Sequence, residues 1–302
     1  MAHSSETSSS PFVQRTLRYW PPYDWASVLR HFRAHQIPYL ESVDDDGFER
    51  IVPTRRGLGR FRVTHSPRSR CLRLIIWNAT AEDIVQIETK VRKMFDVDVK
   101  PEVLDAAMKA DRYISKFWGQ HPGLRVARSW NGFEALVSTV LGQLVSVSFG
   151  RILTGELMRA AGTVVRHPGR SENIFLFPTP QQLLLWDLSS VRTSIARRVT
   201  IRALATVVAD GTLDSEGPPS VAALRKILHS VPGVGKWTAE YAAMRGFGDD
   251  DAFPASDYGL KQELKRHPGI QIDSVRPWRA YAAVALWACF AEERNRSRDP
   301  AV

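Results

Sequence analysis

The chain is poor in cysteine, short of acidic relative to basic residues, and without long apolar runs. Only Cys71 and Cys289 occur among 302 residues, far apart and in different predicted elements. Two thiols argue against a disulfide framework of the kind that staples small secreted domains, and they fit a reducing compartment. They also exclude a four-cysteine iron–sulfur cluster. No apolar stretch is long enough to form a membrane-spanning helix, so no membrane partner is expected. The first ten residues are polar and lack the apolar region of a secretion signal; residues 1–11 read as a disordered tail.

What the chain has in excess is positive charge. Lys+Arg number 41 against 32 Asp+Glu, a formal charge of +9. That balance suits a polyanion, because cations that neutralise phosphates release condensed counterions, and it is equally compatible with a merely basic soluble protein. At 302 residues, two or three packed units sharing one body are expected.

Residues 12–100 alternate helix and strand signals. Asp24 can cap a helix carrying Trp25, Val28, Leu29 and Phe32, and β-rich runs follow at Phe48–Val52, Gly59–Thr64 and Cys71–Trp77. Thr80 then precedes a helix with Ile84, Ile87, Val91 and Met94 at core spacing, so this part reads as an α+β domain with a small antiparallel sheet. His31 and His35 stand four apart on the first helix without an evident third ligand, and read as surface histidines.

Residues 101–295 read as helical almost throughout, with 296–302 as a frayed charged tail. The apolar stripe Phe133, Leu136, Val137, Val140, Leu141 is broken by Gly142, and Ser146 can cap the next helix, which leaves Gln143 and Leu144 at an exposed junction. Ser194 can cap a helix bearing Arg197, Arg198 and Arg202, either a solvated face or one that approaches phosphates. Pro277 suits the first turn of a final helix with Trp278, Tyr281, Leu286 and Trp287.

The most legible stretch is Val231-Pro-Gly-Val-Gly-Lys-Trp-Thr-Ala-Glu-Tyr241, a two-glycine turn between a helix that Ser220 can cap and a helix carrying Trp237, Tyr241 and Met244. Without Cβ atoms, Gly233 and Gly235 permit positive φ and a close backbone approach, and amides at a helix N-terminus favour a phosphate. Such a turn is an ordinary αα-hairpin or a sequence-independent grip on a nucleic-acid backbone.

Downstream, Phe253-Pro-Ala-Ser-Asp-Tyr-Gly-Leu-Lys261 puts a lone aspartate about one helix and one loop after the hairpin. At this point the chain resembles the helix-hairpin-helix DNA glycosylases, and among them the AlkA-type 3-methyladenine DNA glycosylase II. The resemblance runs from about Tyr19 to Phe290, through Trp20-Pro-Pro-Tyr-Asp-Trp25, Pro122-Gly-Leu-Arg125, Leu141-Gly-Gln-Leu-Val-Ser146, the hairpin, the aspartate loop and Pro277-Trp-Arg-Ala-Tyr281. It implies a mainly α fold of the HhH-GPD type, with an α+β N-terminal domain and a cleft between two helical subdomains. It also implies an intracellular protein that acts on double-stranded DNA.

The resemblance makes Asp257 the catalytic residue and sets Trp237, Tyr241 and Trp287 around a base pocket, with Tyr258 supporting the aspartate. Leu144, with Gln143, becomes the wedge that fills the gap left by an extruded base, and Gly233, Gly235, Lys236 and Thr238 contact the DNA backbone. The carbonyls of His229, Val231 and Val234 match positions that bind a monovalent cation; no other cofactor, and no catalytic metal, is expected.

The chemistry fits those residue types. Breaking a base–sugar bond builds oxocarbenium character on the sugar, which a fixed carboxylate stabilises while it orients water. A purine alkylated on a ring nitrogen is cationic, attracted to aromatic faces, and leaves as a neutral base. Read alone, Asp257 is also a plausible helix N-cap, Leu144 a core leucine and the aromatic residues core. Asp249-Asp-Asp251 sit in an acidic turn expected to face water.

Iron–sulfur relatives with lyase activity carry a Schiff-base lysine at the place Trp237 fills, so a monofunctional enzyme is expected, working as a monomer. The chain departs from the family twice: Val191-Arg-Thr-Ser194 replaces a glycine turn, and Ser256 replaces a second acidic residue, which puts the preference for cationic bases in doubt. The alternatives are a glycosylase for deaminated or oxidised bases and a non-catalytic DNA-binding module.

Overall fold

Alternating burial builds the amino-terminal sheet. In the computed structural model, which describes residues 12–166, 173–217 and 220–298, the strands are β1 (Phe12–Arg18), β2 (Glu41–Val43), β3 (Gly47–Thr54), β4 (Gly57–Ser66) and β5 (Cys71–Trp77). They lie in the order β1-β5-β4-β3-β2, every pair antiparallel. Phe61, Val63, Leu72, Leu74 and Ile76 point to one buried face, where α1 (Trp25–His35) contributes Phe32 and α2 (Ala81–Met94) contributes Ile87 and Val91. Asp24 caps α1 through the Ser27 amide, and Thr80 with Asp83 forms a reciprocal capping box on α2, as the local sequence predicts.

Two of the five strands escaped the sequence reading for physical reasons. In β1 only Leu17 is buried, so no alternation is visible, and β2 is three residues long.

The rest is helical: α3 (Pro101–Met108), α4 (Arg112–Gln120), α5 (Gly132–Leu141), α6 (Val147–Ala161), then a short β6 (Val164–Arg166) and β7 (Asn173–Phe175) pair. Next come α7 (Pro180–Leu185), α8 (Ile195–Ala209), α9 (Val221–Ser230), α10 (Lys236–Gly246), α11 (Tyr258–Arg266) and α12 (Arg279–Arg298). Ser146, Ser194 and Ser220 each accept an amide hydrogen bond at the start of α6, α8 and α9. In α12 every residue from Ala280 to Leu286 is buried, so this helix runs through the helical core rather than over it. The predicted tail at 1–11, the loop residues 167–171 and residues 299–302 lie outside the described residues.

Two expectations change here. The β6–β7 pair interrupts a region read as helical. The last helix begins at Arg279, two residues beyond Pro277. Near its end α12 carries an Arg296–Glu292 pair at 3.6 Å and an Arg266–Glu293 pair to α11.

Buried ionic contacts fasten the sheet domain to the helical body. Arg50, 1% exposed, donates to Glu41 and, at 2.7 Å, to both oxygens of Glu134 on α5. Asp96 accepts from Tyr281 of α12 at 2.9 Å and pairs with Arg128 at 3.0 Å. Cys71 and Cys289 are both buried and free, and among the described residues no helix is long and apolar enough to cross a membrane.

Candidate active site

Asp257 stands where the aspartate loop enters α11, and the helix cap and the candidate catalytic residue are the same carboxylate. Its Oδ1 accepts from the amides of Gly259 at 2.9 Å and Leu260 at 3.3 Å, the ordinary work of an N-cap. The same oxygen also accepts the indole N–H of Trp287 on α12 at 2.8 Å. Oδ2 accepts one long bond, 3.2 Å, from the indole N–H of Trp237 on α10. Three donors saturate Oδ1, whereas Oδ2 retains lone-pair capacity for a further partner. The carboxylate is thus oriented from three helices with one oxygen left to act.

The tryptophans meet around Tyr241. Its ring stacks on Trp237 at 5.2 Å between centroids and meets Trp287 edge-on at 6.2 Å. The three rings expected around a base pocket thus lie beside Asp257, and both indoles donate to it, which no local feature of the chain foretold. Gly259 explains the closeness: a Cβ there would stand 3.0 Å from Phe290 and 3.1 Å from Trp287.

Behind the rings sits a residue the sequence reading passed over. Arg245, 7% exposed, lies 5.5 Å from the Trp287 ring centroid and donates to the Ala127 carbonyl at 2.6 Å. Burial pushes its pKa down and that of Tyr241 up. The available signal was spacing, since Arg245 follows Tyr241 by one helical turn on the same face of α10.

His31 and His35 lie at the surface as expected, His31 half-buried and His35 exposed. Their rings stack at 4.3 Å, and burial, with the positive charge of Arg245, pushes both pKa values below the imidazole norm, His35 to about 4 despite its contact with solvent. Among the described residues no three His, Cys, Asp or Glu side chains gather as a metal site.

The acidic turn is also corrected. Asp249, 8% exposed, pairs with Arg225 at 2.7 Å, Asp250 with Arg128 at 2.5 Å, and Asp251 with Arg279 at 2.8 Å. Asp249 is buried and Asp250 and Asp251 are half-buried, so these carboxylates hold structure together rather than lying fully in water.

The hairpin turns at Gly233 with φ +82°, and Gly235 opens α10 with no side-chain cap, so the first amides of that helix are unclaimed by a capping side chain. Gly233, Gly235 and Lys236 are exposed, whereas Thr238 is 2% exposed and its hydroxyl accepts from Gln143 at 2.8 Å. Of the carbonyls at His229, Val231 and Val234, that of Val231 accepts from the Val234 amide at 3.1 Å, which leaves it a second lone pair.

Leu144 projects completely into solvent at 101% exposure with φ +54°, while Gln143 turns inward to the hairpin. Tyr258 is 68% exposed, packs edge-on against Phe290 and makes no hydrogen bond to Asp257. Ser256 is exposed beside the site.

Comparisons with known proteins agree with this layout. Residues 14–131 match the AlkA N-terminal domain. The chain is 32% identical over 286 residues to the DNA-3-methyladenine glycosylase 2 of Escherichia coli, covering 90% of this chain and 96% of that protein. It is 33% identical over 301 residues to the probable bifunctional transcriptional activator/DNA repair enzyme AlkA of Mycobacterium tuberculosis; the match covers 97% of this chain but spans only 60% of that relative's length. A 3-methyladenine DNA-glycosylase from Archaeoglobus fulgidus shares the fold, with a TM-score of 0.74 at 17% identity over 92% of this chain and 98% of that one.

Proposed function

Because the chain belongs to the DNA-3-methyladenine glycosylase 2 family, we propose that it is a base-excision repair glycosylase. On this reading it flips alkylated purines of the 3-methyladenine and 7-methylguanine type out of duplex DNA, hydrolyses the N-glycosidic bond and leaves an abasic site. The observation that carries the reading is the Asp257 carboxylate, with Oδ1 saturated and Oδ2 holding a single long bond, beside three aromatic rings. As the base departs, positive charge grows on the sugar, and a pre-oriented anion stabilises it with no reorganisation at the moment of reaction. Oδ2 is the oxygen that faces this charge or takes a proton from the attacking water.

The aromatic walls attract a cationic base, a contribution of about 0.5–2 kcal/mol. Leu144 fills the vacated stack, offsetting an unstacking cost of a few kcal/mol. The unclaimed amides after Gly235, with the Lys236 charge, hold a backbone phosphate without reading sequence. A monovalent cation on the carbonyls of His229, Val231 and Val234 would add positive charge at that grip. With Trp237 where a lyase keeps its lysine, no covalent Schiff base forms, and one chain suffices.

The test is single-turnover excision from duplexes carrying 7-methylguanine, 3-methyladenine, hypoxanthine, uracil or 8-oxoguanine, with borohydride present in a parallel series. Release of the two methylated purines with no trapped protein–DNA adduct is expected. Release confined to uracil or 8-oxoguanine, or a trapped adduct, refutes the reading.

A further inference from the structure

Leu144 holds its exposed position in the left-handed region at φ +54°, where a side-chain-bearing residue pays a steric cost, so something must hold the loop. The holder is α8. Arg197, in its first turn, donates through Nη2 to the carbonyl of Gln143, on the peptide that leads into Leu144. From the other side the Gln143 side chain donates through Nε2 to the Gly233 carbonyl at 3.2 Å and the Thr238 hydroxyl at 2.8 Å. Gly233 is itself seated on α8, since a Cβ there would stand 1.9 Å from Thr200 Oγ1. Helix α8, the Leu144 loop and the hairpin therefore close a ring of contacts. The neighbouring arginines also serve carbonyls: Arg198 those of Val191 and Thr193 at 3.1 and 3.0 Å, and Arg202 those of Leu184 and Trp186 at 3.0 and 2.9 Å.

We propose that Arg197 is a positioning residue which, through Gln143, presets Leu144 before DNA arrives and couples the hairpin's hold on the strand to insertion of the wedge. This rests on the reading of Leu144 as the wedge. It departs from the other role open to an arginine on this helix, a direct bond to phosphate.

The experiment uses the full chain and a duplex with one 7-methylguanine beside a 2-aminopurine reporter of unstacking. Leu144→Ala, Arg197→Ala, Arg197→Lys and the Leu144→Ala/Arg197→Ala double variant are compared. Arg197→Ala is expected to lower the reporter amplitude and single-turnover excision by about tenfold, as coupled neighbours do, and the double variant to be no slower than Leu144→Ala alone. Arg197→Lys, which keeps a donor, restores part of the loss, and the salt dependence of binding keeps its slope.

Additive losses overturn the inference. So does a slope lower by about one, the mark of a lost phosphate contact. A fall in melting temperature matched by Arg197→Lys assigns a merely structural role. If Leu144→Ala is slow but Arg197→Ala excises at the wild-type rate, only this inference fails. If Leu144→Ala itself excises at the wild-type rate, the wedge reading fails and takes the inference with it.

Discussion

Replacing Trp287 with Phe separates the two tasks assigned to that indole. Phe keeps an aromatic face but deletes the N–H that donates to Asp257 Oδ1 at 2.8 Å. A hydrogen bond to a charged group contributes about 1.5–3 kcal/mol, which is roughly 10- to 150-fold in rate if the bond orients the carboxylate in the transition state. The difference between two aromatic faces toward a cation is smaller, no more than ~1 kcal/mol. The Gly259 and Leu260 amides remain on Oδ1 at 2.9 and 3.3 Å, so the carboxylate swings while the α11 cap survives. Single-turnover excision is measured on duplexes carrying 7-methylguanine, which is cationic, and hypoxanthine, which is neutral. The expected loss is tenfold or more and similar on both. A loss confined to 7-methylguanine would show that the indole works by its face, and a loss under twofold on both would refute the orienting role of the bond.

Arg50→Ala leaves Glu41 and Glu134 without their shared partner between the sheet and α5, where burial already pushes the Glu41 carboxyl up. A stability loss of about 3–5 kcal/mol is expected by urea unfolding; a change under ~1 kcal/mol would mean the cluster is solvated in solution. Acidification gives a second check. His31 and His35 have folded-state pKa values below the imidazole norm, so as pH falls below about 6.5 the unfolded chain takes up protons first. The stability these residues contribute is complete above about pH 6.5 and falls as the pH drops below it. The His31→Gln/His35→Gln double variant should flatten the urea midpoint over that window, and an unchanged slope would place both rings in bulk water.

Features set by neighbours in the chain were legible in the sequence. Ser146, Ser194, Ser220 and Thr80 cap the helices that follow them, and the turn at Gly233 needs the positive φ its glycine allows. Asp257 is both the helix cap and the proposed catalytic residue, so the bland and the functional reading of that residue describe one arrangement. Features set across the fold were not legible. Nothing local tells that two indoles from α10 and α12 converge on one carboxylate, or that Asp249, Asp250 and Asp251 each find a buried or half-buried arginine. Gln143 reads as an exposed loop residue because its partners, Gly233 and Thr238, lie about ninety residues away. Strand β1 hid because its pairing with β5 buries only Leu17.

Asp257→Asn probes the central claim most directly, since it keeps the shape of the side chain and removes its charge. Single-turnover base release from 7-methylguanine duplex should fall by about 10²–10³-fold, the loss expected when a pre-organised electrostatic stabiliser is removed, with duplex affinity within about twofold of wild type. Base release at the wild-type rate by this variant would contradict the account.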